Sequence, residues 1–122
     1  MTPFGLKLRQ LRKERGLTLA EMAKAANVSS AYLSALEHGK RGRPSWRVIQ
    51  SLIAYLNIIW DDAEDLVRLS KISHPKINID TSGLSPEATE LANQLALNIG
   101  KLAEADIQNM LKNLKMNIAK TI

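Results

Sequence analysis

At 122 residues, with 45% apolar side chains but 4% aromatics, the chain has room for one ordinary domain, or for a small domain with a helical extension, and its aliphatic character suits helices better than a β-sandwich. It has no cysteine, which excludes disulfides and thiolate metal sites, and no apolar run approaches the ~18 residues that a membrane-spanning helix needs. The net charge of +5 is unevenly spread: residues 1–57 hold ten Lys/Arg and three acidic residues, a balance of +7, whereas residues 58–122 hold seven and nine, a balance of −2.

The opening Met-Thr-Pro-Phe-Gly-Leu-Lys lacks the apolar core of a secretory signal, so a soluble cytoplasmic protein is expected. The first helix is predicted over Phe4 to Glu14, with Leu8 and Leu11 inward and Arg9, Arg12 and Lys13 mostly outward. Arg15-Gly16 ends it, because Gly16 is open to positive φ. Thr18 then caps a second helix, and Glu21 stands at the capping-box spacing. Its inward stripe is Leu19, Met22, Ala23 and Ala26, and Asn27 can adopt the left-handed conformation that closes it. Val28 follows, Ser29 caps a third helix over Ser30 to His38, and Leu33 and Leu36 face inward. Gly39 terminates that helix. Two short helices meeting at a tight corner form a helix-turn-helix.

Lys40-Arg41-Gly42-Arg43-Pro44 is too rich in charge, Gly and Pro for regular structure. Ser45 caps a fourth helix whose Trp46, Ile49, Ile53 and Leu56 read as an inward stripe. A fifth covers Trp60 to Lys71, with Asp61, Asp62, Glu64 and Asp65 at the end where the helix dipole favours them. Residues 73–84 read as a linker after a domain of residues 1–72, and the alternation from Lys76 to Asp80 leaves room for a short extended segment docked on the core. Ser85-Pro86-Glu87 is a helix start. From there Ala88, Leu91, Leu95, Ile99 and Leu102 form a stripe, continued by Ile107, Met110, Leu111, Leu114 and Ile118. Gly100 interrupts it, so a break is expected there within an extension spanning residues 85–122.

Residues 4–60 resemble the phage-repressor and Cro-like helix-turn-helix family of transcriptional regulators. The resemblance is carried by Leu11-Arg12, Arg15-Gly16-Leu17-Thr18, Leu19-Ala20-Glu21-Met22-Ala23, Asn27-Val28-Ser29 and Leu36-Glu37-His38-Gly39-Lys40. It covers about half of the chain. It implies an all-α, five-helix repressor-like domain with a C-terminal helical extension, and a third helix that lies in the major groove of double-stranded DNA. The base-facing side chains would then be Ser30, Ala31, Ser34 and Ala35, with Tyr32 partly outward, toward the sugar-phosphate backbone or helix 4. The resemblance also implies an ion pair between Arg12 and Glu37 that orients the recognition helix.

These readers are small. Serine hydrogen-bonds several bases and alanine touches a thymine methyl, but neither makes the bidentate contacts of Arg or Gln. Family members often carry Gln at the second residue of helix 2, where this chain has Leu19. Direct base reading should therefore be sparse, leaving more to groove shape and phosphate contacts. Candidate phosphate or minor-groove contacts are Arg9, Lys13, Thr18, Tyr32, Lys40, Arg41 and Arg43, with Pro44 fixing the backbone beside Arg43.

His38 and His74 are the only histidines, and without a carboxylate cluster they make no metal site. His38 reads as a helix cap or a phosphate ligand. Trp46 and Trp60 read as core. No nucleophile-base set or glycine-rich phosphate loop is present, so an enzyme is disfavoured and no cofactor is expected. The stripe over Leu91, Leu95, Ile99, Leu102, Ile107, Met110, Leu111, Leu114 and Ile118 is expected to form a homodimer interface, serving half-sites about 34 Å apart. The expected function is a homodimeric repressor or autoregulator. The alternative is an antitoxin-type module that neutralises a small protein partner and binds its own operator.

Overall fold

The computed structural model describes residues 1–58 and 61–121. Among them every regular element is helical: α1 (Pro3–Glu14), α2 (Leu19–Ala25), α3 (Ser30–Glu37), α4 (Trp46–Leu56), α5 (Asp61–Lys71), α6 (Pro86–Asn98) and α7 (Glu104–Lys120), with a 3-10 turn at Ile99–Lys101. The chain separates into two compact units, Met1–Ile77 and Asn78–Ile122.

In the first unit the starts of α1, α2, α3 and α4 are set by hydroxyls. Thr2 Oγ1 accepts the Gly5 N–H at 3.0 Å with Pro3 in the first turn, so α1 begins one residue before the Phe4 expected. Thr18, Ser29 and Ser45 cap α2, α3 and α4 in the same way. Phe4, Leu8, Leu11, Met22, Ala23, Ala26, Leu33, Leu36, Val48, Leu52, Leu56, Ile58 and Leu66 form one buried cluster, against which Leu19, Val28, Tyr32 and Ile53 pack from its edge. Truncating a fully buried member such as Leu33 to Ala would cost about 2–5 kcal/mol. Lys7 Nζ lies 3.7 Å from Asp62 Oδ1, a surface tie between α1 and α5.

Several expectations need correcting or limiting. Trp46 is 58% exposed, not core. The buried face of α4 is Val48, Ile49, Leu52 and Leu56, and Trp46 stands about a quarter turn from its centre. Lys76 to Asp80 forms no strand and is exposed throughout, Ile77 and Ile79 included, so alternation there does not mark burial. The proposed start of the fifth helix at Trp60, and the core role of Trp60, lie outside the described residues. Ser73, read as the first linker residue, is buried and joins the ends of the unit: its Oγ accepts the Phe4 N–H at 2.9 Å and donates to the Leu69 carbonyl at 2.5 Å.

In the second unit Ser85 caps α6 and Pro86 opens it. The helix gives way to the 3-10 turn at Ile99–Lys101, Leu102 is extended, and α7 begins without a side-chain cap. No residue of α6 or α7 is buried. No described helix is long and apolar enough to cross a membrane.

Candidate nucleic-acid interface

The geometry of the α2–α3 corner follows from its capping residues. Thr18 Oγ1 accepts the Glu21 N–H at 3.1 Å while Glu21 Oε1 accepts the Thr18 N–H at 3.2 Å. The Thr18 amide is thus satisfied within the chain, and only its hydroxyl hydrogen remains for a phosphate. Asn27 sits at φ +57°, and the Val28 N–H returns to the Ala23 carbonyl at 3.0 Å, closing α2 in a left-handed cap. Arg47 of α4 donates to the Ala26 carbonyl at 3.2 Å and adds a second closure to the same end. Ser29 Oγ then accepts the Tyr32 N–H at 3.0 Å and starts α3.

Leu33 and Leu36 hold α3 to the core, and the helix end is fixed from α1. Gly5 lies so close to α3 that an added Cβ would collide with the Leu36 carbonyl oxygen and stand 2.8 Å from that of Glu37. Arg12 reaches across the same junction: Nε donates to Glu37 Oε2 at 2.7 Å and Nη2 to Oε1 at 3.1 Å. Its Nη1 donates to the Leu17 carbonyl at 3.0 Å, so one guanidinium ties α1, the turn before α2 and the end of α3. The hydrogen bond to Glu37, reinforced by its charge and opposed by desolvation, raises the Arg12 pKa above the ordinary arginine value.

On the opposite flank Ser30 and Ala31 are exposed, while Ser34, Ala35 and Tyr32 are half-buried. The helix ends at Glu37, and His38 caps it: Nδ1 donates to the Ser34 carbonyl at 2.8 Å, which places a proton on that nitrogen. Gly39, at φ +73°, turns the chain. Beyond it the amides of Lys40 and Arg41 both point at the Ala35 carbonyl, at 2.9 and 3.4 Å. The Arg41 guanidinium lies over the Tyr32 ring, 5.6 Å from its centroid, in a cation–π arrangement. Lys40, Arg41 and Arg43 are exposed and Pro44 is buried, so the basic loop is anchored at both ends beside the outward flank of α3. Residues 38–58 contain no Asp or Glu. On α1, Lys13 is exposed and Arg9 half-buried.

Sequence reasoning did not find the Arg47 closure, the Ser73 tie or the Tyr32–Arg41 pair. Hydroxyl caps are visible as local spacing, whereas these contacts join residues distant in sequence. Among the described residues no group of three or more His, Asp or Glu side chains could hold a metal ion.

Residues 3–66 match a family described as helix-turn-helix domain. The chain is 42% identical over 62 residues to the uncharacterised HTH-type transcriptional regulator RghRB of Bacillus subtilis, covering 51% of this chain and 45% of that one. It is 43% identical over 61 residues to the HTH-type transcriptional repressor RghR of the same organism, covering 50% and 45%. A crystal structure of SinR, the master regulator for biofilm formation, in complex with DNA matches 52% of this chain and 97% of its own, at 31% identity and a TM-score of 0.47. The chain spans about half the length of the curated relatives it matches. The capped corner, the inward stripes and the matched residues agree: the chain belongs to the helix-turn-helix domain family.

Proposed function

We propose that the chain binds double-stranded DNA in a sequence-dependent way, with α3 in the major groove, and regulates transcription as a homodimeric repressor. The observation that carries this reading is the exposed flank of α3, bordered by a loop with three exposed cations and no acidic residue. Phosphates supply the charge that such a surface lacks. Ser30, Ala31, Ser34 and Ala35 would meet base edges. Lys40, Arg41 and Arg43 would meet phosphates, with Tyr32 holding Arg41, and Arg9, Lys13 and the Thr18 hydroxyl would extend the contact. The relatives include a repressor, and a repressor needs only a tight site that blocks a promoter.

The functional division proposed is a DNA-binding domain at residues 1–72, to which Ser73 is tied, a linker over the rest of 73–84 and an extension at 85–122. Dimerisation through the extension is supported by its uncovered apolar side chains. Leu91, Ile99, Met110, Leu111, Leu114 and Ile118 are about half exposed or more, and Leu95, Leu102 and Ile107 are half-buried. A second copy would cover them with two-fold symmetry and space two recognition helices about one DNA turn apart. The antitoxin-type alternative would use the same stripe, but the relatives are named as regulators and nothing favours it. A cytoplasmic location fits action on DNA and is part of the same proposal.

Selection of bound fragments from random duplexes, followed by affinity measurements at two salt concentrations, tests this. The expected result is one enriched, two-fold symmetric sequence that keeps an affinity ratio of about a thousandfold or more over random duplex at both salts. Enrichment of nothing, with all binding lost together as salt rises, would reduce the protein to a non-specific cation.

A further inference from the structure

The segment that follows α5 brings a titratable group to the basic loop. Ser73, held by Phe4 and Leu69, fixes the point from which this segment leaves the core. His74 comes next and is exposed. A Cβ placed on Gly42 would stand 3.1 Å from His74 Nδ1 and 3.6 Å from Pro75 Cδ, so the imidazole lies against the loop backbone between Arg41 and Arg43. That approach is closer than a side-chain-bearing residue ordinarily allows, and glycine at position 42 accommodates it. The charged groups on the loop are Lys40, Arg41 and Arg43, and those on the segment are Lys71 and Lys76. No Asp or Glu occurs in residues 38–58 or 66–79.

We infer that His74 is a further phosphate-contacting residue of the interface, contributed from outside the helix-turn-helix, and that it makes DNA affinity depend on pH. This rests on the DNA-binding reading above. An imidazolium donates from both ring nitrogens and carries a charge, whereas neutral imidazole donates from one and carries none. Imidazole titrates in the physiological range while a phosphodiester stays anionic throughout it. Binding therefore takes up a proton from solution, and affinity rises as pH falls.

The test measures the affinity for a selected duplex from about pH 8 to about pH 5.5, a window that brackets imidazole titration. The proteins compared are the wild type, His74→Gln, His74→Arg and His38→Gln, with melting confirming that each is folded. The wild type should bind about three- to tenfold more tightly at the acid end, as one added charge-assisted phosphate contact provides. His74→Gln should stay at the affinity of the alkaline end, His74→Arg at that of the acid end, and His38→Gln should keep the wild-type slope against pH, whatever its absolute affinity. A flat wild-type profile, an unchanged slope in His74→Gln, or a slope lost only in His38→Gln would overturn the assignment while leaving DNA binding intact. Failure of the wild type to bind any selected duplex at any pH would overturn the DNA-binding reading itself.

Discussion

Arg12 and Glu37, 25 residues apart, meet through two parallel hydrogen bonds of 2.7 and 3.1 Å that fasten the end of α3 to α1. Glu37 is 2% exposed and Arg12 17%, so the carboxylate is the partner that depends on the pair. Such pairs contribute more to orientation than to net stability. Arg12→Ala strands a buried carboxylate and should cost about 2–4 kcal/mol; Glu37→Ala leaves a cation nearer solvent and should cost less. Replacing both by Met should cost less than Arg12→Ala alone. Because the hydrogen bond to Glu37 raises the Arg12 pKa, the guanidinium keeps its contribution through neutral and mildly alkaline pH and loses it only above the ordinary arginine range. Melting temperatures of the three variants should therefore differ by the same amounts at neutral and mildly alkaline pH. Glu37→Ala should also weaken DNA binding although it removes no base contact.

Gly5 offers a test of opposite sign to helix propensity. Within a helix Gly→Ala ordinarily gains about 1 kcal/mol. At Gly5 the methyl would enter the backbone of Leu36 and Glu37, so Gly5→Ala should destabilise by about 2 kcal/mol or more. Gly100, with nothing near its added Cβ, should accept alanine with no comparable loss. Equal melting of the two variants would show that α1 does not grip α3 as described.

The proposed interface separates positioning from reading. Arg41→Ala and Arg43→Ala should each lower affinity for selected and random duplex alike and reduce the slope of log affinity against log salt by about 0.9. Tyr32→Ala should reproduce part of the Arg41 effect, since the ring holds that guanidinium. Ser30→Ala and Ser34→Ala should change sequence preference little, because neither serine offers a bidentate contact. A large loss of preference in either serine variant would contradict the sparse reading of bases.

Much of the first unit was legible because its signals are local. Thr18, Ser29 and Ser45 announce their helices by spacing alone, as Ser85 does in the second unit, and Gly16, Asn27 and Gly39 mark three turns by their tolerance of positive φ. Trp46 was misread because Ile49, Ile53 and Leu56 share its spacing: a stripe can be drawn with its centre displaced, and only the packing partner fixes the centre. Ser73 and His74 looked like linker because their partners, Phe4 and Gly42, lie far away in sequence. Residues near one another in the fold but not along the chain are what periodicity does not record.

The apolar stripe of α6 and α7 makes its own prediction. Leu114→Asp or Ile118→Asp should convert a dimer to a monomer in sedimentation while leaving the melting of the first unit unchanged. Affinity for the full two-fold site should then fall toward that for a half-site. A mass that is monomeric at every concentration in the unaltered chain would remove the dimer from the account.

The most direct test is the affinity of Ala31→Asp for the selected duplex. Ala31 is exposed in the first turn of α3, where an aspartate suits the helix dipole and leaves folding undisturbed. If that flank lies in the major groove, the new carboxylate faces phosphates and base edges, and binding should weaken by about tenfold or more at unchanged melting temperature. Wild-type affinity in this folded variant would mean that α3 does not enter the groove.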